Sequence, residues 1–278
     1  MRDPAPAARD SGMTSIAHKL RSAAFYLGRP PFWAHFGHRA LGYLHSAQDS
    51  RPQQAYAAGW AQARAQPLGM VLTHFGLTPD GIVPRMPMDV MAEARHRVAG
   101  APVRMGGGAH VDLLYAVTRL TGARRILETG VAFGWSSLAF LSGMERNGGG
   151  RLVSVDRPYP GDNSEIFVGL AVPEHLAKHW AIVREPDRNG LLKAAGWFPH
   201  GADIAHYDSD KTYRGRQFGY PVMWRALRPG GLFISDDIQD NLAFAHFVER
   251  ARASYGVVES AGKYVGIALK PGLKPAVN

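Results

Sequence analysis

Five acidic residues and one lysine have the types and spacing to do chemistry. Glu128, Asp156, Asp208 and the pair Asp236-Asp237 each follow a short apolar run, and Lys211 stands three residues after Asp208. A carboxylate such as Asp156 at a strand end can accept hydrogen bonds from both hydroxyls of a ribose, which marks a nucleoside. Glu128 opens a Glu-x-Gly-x-x-x-Gly loop through Gly130 and Gly134. A carboxylate there repels a pyrophosphate and favours a nucleoside that carries a positive charge and an amino acid. Asp208, Asp236 and Asp237 form a second group. Three converging carboxylates need a cation or raised pKa values to coexist. An all-oxygen set suits a hard ion, Mg²⁺ first, with Ca²⁺ or Mn²⁺ as alternatives. Beside such an ion the ammonium form of Lys211 is disfavoured, and the amine becomes a candidate general base for a hydroxyl. Taken singly, these residues have plainer readings. Asp156 could cap a helix, Lys211 could be a solvated lysine at a helix start, and Asp210 reads as an N-cap before Thr212-Tyr213.

These residues need elements to position them, and the chain after residue 124 supplies a regular alternation. Strands are expected at Arg125–Glu128, Arg151–Val155, 180–183, Ala202–Tyr207 and Leu232–Ser235, with glycine turns and helical patterns between them. A hairpin of 256–259 and 264–269 closes the chain around Gly262. The class is α/β: a Rossmann-like, doubly wound, mostly parallel seven-stranded sheet with helices on both faces. Parallel strand ends open on one edge of such a sheet, so the acidic residues gather in one crevice.

The first hundred residues read differently. Residues 1–12 are rich in Pro, Ala, Asp and Ser and are expected to be disordered. Residues 13–100 form a helical extension, with helices over 13–28, about 32–44, 52–76 and 88–98, and the main domain follows over 101–278. Residues 1–122 hold 13 Lys/Arg against 7 Asp/Glu, and the net charge of the whole chain is +9. The basic, aromatic segment 13–45 is compatible with peripheral membrane contact, with packing on the main domain, or with a homodimer. Nucleic acid is disfavoured, because no basic stripe carries interleaved aromatics and the acidic crevice repels phosphates. There are no cysteines, which excludes disulfides, thiolate zinc sites and cysteine nucleophiles. The simplest expectation is a cytoplasmic protein with no spanning helix.

At these motifs the sequence resembles a known family. Leu127-Glu-Thr-Gly-Val-Ala-Phe-Gly-Trp-Ser-Ser137 is similar to the cofactor loop of class I S-adenosylmethionine-dependent methyltransferases. His206-Tyr-Asp-Ser-Asp-Lys-Thr-Tyr213, with Leu227-Arg-Pro-Gly-Gly-Leu-Phe-Ile-Ser-Asp-Asp237, resembles the metal-dependent branch that includes catechol and caffeoyl-CoA O-methyltransferases. The resemblance covers about residues 104–270. It implies S-adenosylmethionine as cofactor, Mg²⁺ at Asp208, Asp236 and Asp237, and Lys211 as catalytic base on a hydroxyl of a small molecule or sugar. Asp237 stands where that branch carries Asn. The resemblance also implies cofactor contacts at Met105, Gly106, Glu128, Gly130, Ser136 and Asp208. It places the ribose at Asp156 and the adenine near Asp187. Trp135 flanks the methionine end or packs in the core. A metal-independent methyltransferase of a small molecule or glycan is the competing expectation.

Overall fold

The computed structural model describes residues 24–33, 37, 47–78, 82–107, 110–159, 164–260 and 262–272. The expected tail at 1–12 and most of the two helices expected within 13–45 lie outside them. Nine α-helices and seven strands are named here. The helices are α1 (Arg51–Gln62), α2 (Leu68–His74), α3 (Met88–Ala99), α4 (Val111–Thr121), α5 (Trp135–Arg146), α6 (Glu174–Ala177), α7 (Asp187–Ala195), α8 (Tyr213–Ala226) and α9 (Ala243–Ala251). The strands are β1 (Arg125–Thr129), β2 (Arg151–Val155), β3 (Trp180–Val183), β4 (Ala202–Tyr207), β5 (Leu227–Ser235), β6 (Ser254–Ser260) and β7 (Lys263–Leu269).

The seven strands form one sheet in the order β3-β2-β1-β4-β5-β7-β6. The first five run parallel, and β7 lies antiparallel between β5 and β6. Strand order reverses between β1 and β4, the switch point at which open α/β sheets bind ligands. Alternate residues feed two cores. Ile126, Leu152, Ile204 and Ile234 pack with Leu138 and Phe140 of α5. Leu127, Val153, Ala205 and Phe233 pack on the other face with Leu191, Tyr220 and Phe247. Each such side chain, when fully buried, contributes about 1.5–3 kcal/mol. The continuous apolar runs of these strands follow from burial on both faces.

The N-terminal helices belong to the same packing unit. Val71 and Leu72 of α2 sit in the first core, and Ala61 of α1 sits in the second. The helix expected over 52–76 is broken into α1 and α2. Pro67 cannot donate a backbone hydrogen bond, and Gln66 N–H instead donates to Val257 O on β6 at 2.9 Å. Trp60 stacks on Tyr255, with ring centroids 5.9 Å apart. Strand β5 also differs from expectation. It begins at Leu227, which pairs with Ala202 of β4, and the Pro229-Gly-Gly231 segment, left-handed at Gly230 (φ 74), exchanges hydrogen bonds with Lys270 (Gly230 N to Lys270 O, 3.0 Å; Lys270 N to Gly231 O, 2.9 Å). Among the described residues, no helix is long and apolar enough to cross a membrane.

Candidate active site

The acidic strand ends do come together. Each is tied to the neighbouring strand by a backbone bond. Gly130 N donates to Val155 O at 2.9 Å, and Asp156 N to Val183 O at 3.1 Å. Asp208 N donates to Thr129 O and Asp236 N to Tyr207 O, both at 3.1 Å. Above this edge lies a cavity of about 760 Å³. Gly106, Gly130, Trp135, Ser136, Asp156, Asp187, Asp208, Lys211, Asp236 and Asp237 all line it.

Two expected residues do not line it. Met105 is buried beside Gly106. Glu128 is wholly buried below the cavity floor. Side chains alternate across a strand, so Glu128 follows Ile126 onto the face covered by α5. There its Oε2 accepts hydrogen bonds from Ser137 and Ser154 hydroxyls, each at 2.6 Å. A direct cofactor contact from Glu128 is therefore replaced by a role in bracing the loop from below.

Glycine is required where the β1 loop turns. Gly130 has φ 80, and a Cβ there would collide with the Asp208 carbonyl. Gly134 has φ 85 and precedes α5 as its N-cap. This tight passage brings the loop and the end of β4 together. On this half of the cavity Asp156 Oδ2 pairs with Arg184 Nη1 at 2.7 Å. Burial raises the Asp156 carboxyl above its usual value, and Arg184 only partly offsets this. Tyr159 donates to Asp156 Oδ1 at a long 3.4 Å. Asp187 opens α7 and accepts from the Ser209 hydroxyl at 2.5 Å. Burial pushes its pKa up to about 6.

The other half holds the second acidic group. Lys211 pairs with Asp208 and, at 2.7 Å, with Asp237 Oδ2. Burial opposes its charge, but the two carboxylates outweigh that and push the lysine up to about 12. Lys263, at the start of β7, lies 3.0 Å from Asp237 Oδ1. Asp237 is the more firmly fixed for its backbone, which is left-handed at φ 53. The buried Arg216 guanidinium donates to its carbonyl at 2.8 Å and to that of Asp236 at 3.3 Å. Beneath, His206 Nε2 lies 3.3 Å from Asp236 Oδ1, and His206 Nδ1 lies 3.6 Å from Glu128 Oε1. Asp210 is not the cap of α8. Thr212 is, accepting from Gly215 N at 3.0 Å, while Asp210 Oδ1 accepts from Thr212 N at 3.0 Å.

The divalent ion implied by the family resemblance is judged by this donor set. Both oxygens of Asp237 are engaged by ammonium groups, Asp208 faces Lys211, and Asp236 faces His206. Three carboxylates meet two ammonium groups and a buried imidazole. Among the described residues, no group of three or more His, Asp or Glu is arranged to hold a metal ion. The residues do not fit a three-carboxylate ion site. Charge balance, which the carboxylates alone would take from an ion, comes here from Lys211, Lys263 and His206.

Sequence reasoning missed Lys263, His206, Arg216 and His110, the last of which lines the cavity just before α4. Burial lowers the His110 pKa, and the charges of Asp236 and Asp237 oppose this. The glycine run before His110 was a local signal for it. Lys263 had none, since it reaches Asp237 only through the antiparallel insertion of β7 beside β5.

A family model described as a methyltransferase domain matches residues 127–238, the span from β1 to just past Asp237. None of the curated proteins matches the chain. A putative O-methyltransferase from Klebsiella pneumoniae is similar in structure, with TM-score 0.50 and 20% identity over 69% of this chain and 93% of that one. An O-methyltransferase from Bacillus cereus, solved in complex with SAH, gives TM-score 0.52 and 16% identity over 73% and 100%. A methyltransferase from Geobacter sulfurreducens gives 0.50 and 19% over 72% and 96%. At such identities the likeness is one of fold. Residues 127–238 match a methyltransferase domain, and the fold is that of these solved methyltransferases.

Proposed function

We propose that this protein is an S-adenosylmethionine-dependent O-methyltransferase acting on a hydroxyl of a small molecule or sugar. The observation that carries the reading is that Asp156 and Lys211 line one cavity, on either side of the β1/β4 switch point. Asp156 would receive the ribose hydroxyls, with Gly106 and Gly130 giving the amino-acid end a close backbone approach. The Bacillus cereus protein of this fold is described with SAH bound, which supports S-adenosylmethionine as the methyl donor.

Methyl transfer forms a bond between the acceptor oxygen and the methyl carbon while the carbon–sulfur bond breaks. The hydroxyl first gives its proton to water, and S-adenosylhomocysteine leaves as the oxyanion takes the methyl group. Positioning of the two partners dominates such a displacement. In this reading the Lys211 ammonium orients the acceptor oxygen and lowers the pKa of its hydroxyl, which populates the oxyanion that attacks. The general-base role expected from the sequence depended on a nearby divalent ion. With Asp208 and Asp237 beside it instead, the ammonium form is favoured. Mg²⁺ is accordingly not part of the proposed chemistry, which agrees with the metal-independent alternative.

Calorimetric titration with S-adenosylmethionine and S-adenosylhomocysteine tests the reading. Saturable one-to-one binding of both is expected. Absence of binding by either would remove the methyl donor and with it the reading.

A further inference from the structure

Asp237 is held unusually firmly for a cavity carboxylate. Its backbone is fixed in a left-handed conformation, and its carbonyl accepts from buried Arg216 at 2.8 Å. Its two carboxylate oxygens face two different ammonium groups, Lys211 at 2.7 Å and Lys263 at 3.0 Å. A hard cation entering here would have to displace at least one of them. Mg²⁺ also demands near-ideal octahedral oxygen geometry. Its two charges would be added where the ammonium groups of Lys211 and Lys263 already face Asp208 and Asp237.

An ammonium has three N–H donors. Lys263 directs one at Asp237, and the structure gives Lys211 two carboxylate partners. Donors therefore remain on both lysines, and both lysines line the cavity. We infer that Lys263 takes the place of a divalent ion, so that the acceptor site is built without metal and the Lys211–Lys263 pair receives the acceptor's oxygens. The class of acceptor that fits is one with two neighbouring oxygens, a vicinal diol or a hydroxyl beside a carboxylate. The word acceptor rests on the methyltransferase reading, whereas the exclusion of the ion does not.

The test is a calorimetric titration of MgCl2 into the metal-stripped full chain, as wild type, Lys263→Met and Asp208→Ala. Wild type is expected to give no saturable heat, and Lys263→Met to bind saturably, at least about tenfold tighter than the weakest affinity the wild-type titration would detect. Saturable binding to wild type that Asp208→Ala removes would overturn the inference. So would a Lys263→Met protein that binds no better than wild type. Lys263 is 56% exposed, so its replacement should leave the fold intact, and thermal unfolding checks this. Lys263→Gln provides a second variant. S-adenosylhomocysteine titrated into the same samples separates the two ideas. Its failure to bind counts against the methyl donor, and the Mg²⁺ result alone decides the lysine.

Discussion

His206 Nε2 lies 3.3 Å from Asp236 Oδ1, and the ring has no exposed surface. The imidazole thereby joins the acidic end of β5 to Glu128 under the β1 loop. Burial opposes its charge, but Asp236 and Glu128 outweigh that and raise its pKa to about 10. A buried cation between two carboxylates is costly to interrupt. His206→Gln is expected to lower stability by about 3–5 kcal/mol at neutral pH, because it leaves Glu128 and Asp236 buried without their partner. Urea denaturation of both proteins measures this, and a loss below about 1 kcal/mol would show that the charged imidazole is not holding the site together.

The same pair predicts a pH dependence. The folded pKa of His206 lies above its unfolded value of 6.5, so its stabilisation is complete below pH 6.5 and is lost as pH rises through about 10. Wild type should lose stability across that window, and His206→Gln should lose much less. Midpoints followed from pH 6 to pH 10 check it. Parallel curves for the two proteins would contradict a protonated histidine.

Gly130→Ala tests the close passage between β1 and β4. The residue sits at φ 80, and an added Cβ meets the Asp208 carbonyl, which is backbone and cannot turn aside. Left-handed strain alone costs about 1–3 kcal/mol. The variant is expected to lose stability by at least that much and to lose S-adenosylhomocysteine binding, read by thermal unfolding and calorimetry. Normal binding would mean that the loop can shift away from the end of β4.

How far such features are visible in sequence depends on whether their cause is local. Strands β2, β3 and β4 fall within their expected bounds, because apolar runs and glycine turns delimit them. The crevice of Asp156, Asp208 and Asp236 was also legible, since parallel strands must end on one edge. Glu128 was misplaced because one residue of strand parity decides between cavity and core. The break in the helix expected over 52–76 has a local cause in Pro67, whereas the pairing of Gln66 with Val257 was hidden because Val257 lies far along the sequence. Lys263 was hidden for the same reason. Asp237 shows locally as an extra negative charge, whereas the lysine that faces it arrives only through the order β5-β7-β6.

Asp156→Asn separates ribose recognition from folding. The side chain is nearly buried, and one oxygen already faces Arg184 at 2.7 Å. An amide keeps the shape but gives up one acceptor and the charge. A hydrogen bond to a charged group contributes about 1.5–3 kcal/mol, so affinity for S-adenosylhomocysteine should fall about 10- to 100-fold. Calorimetry measures this, and unchanged affinity would move the ribose away from β2.

Lys211→Met asks whether the lysine acts on the acceptor or on the cofactor. Its ammonium touches Asp208 and Asp237 and stands across the cavity mouth from Asp156. A residue that favours the ionised acceptor acts on turnover and leaves cofactor binding alone. Its loss should lower turnover about 10- to 10³-fold, because an opposite charge nearby lowers a pKa by about 1–3. Cofactor affinity should change by less than about threefold, under 1 kcal/mol. Both are measurable on one preparation, with S-adenosylhomocysteine release from a panel of diols and hydroxy acids giving turnover. Lys211→Arg retains a positive charge and should recover part of the rate. Equal losses of turnover and cofactor affinity in Lys211→Met would instead place the lysine at the methyl donor.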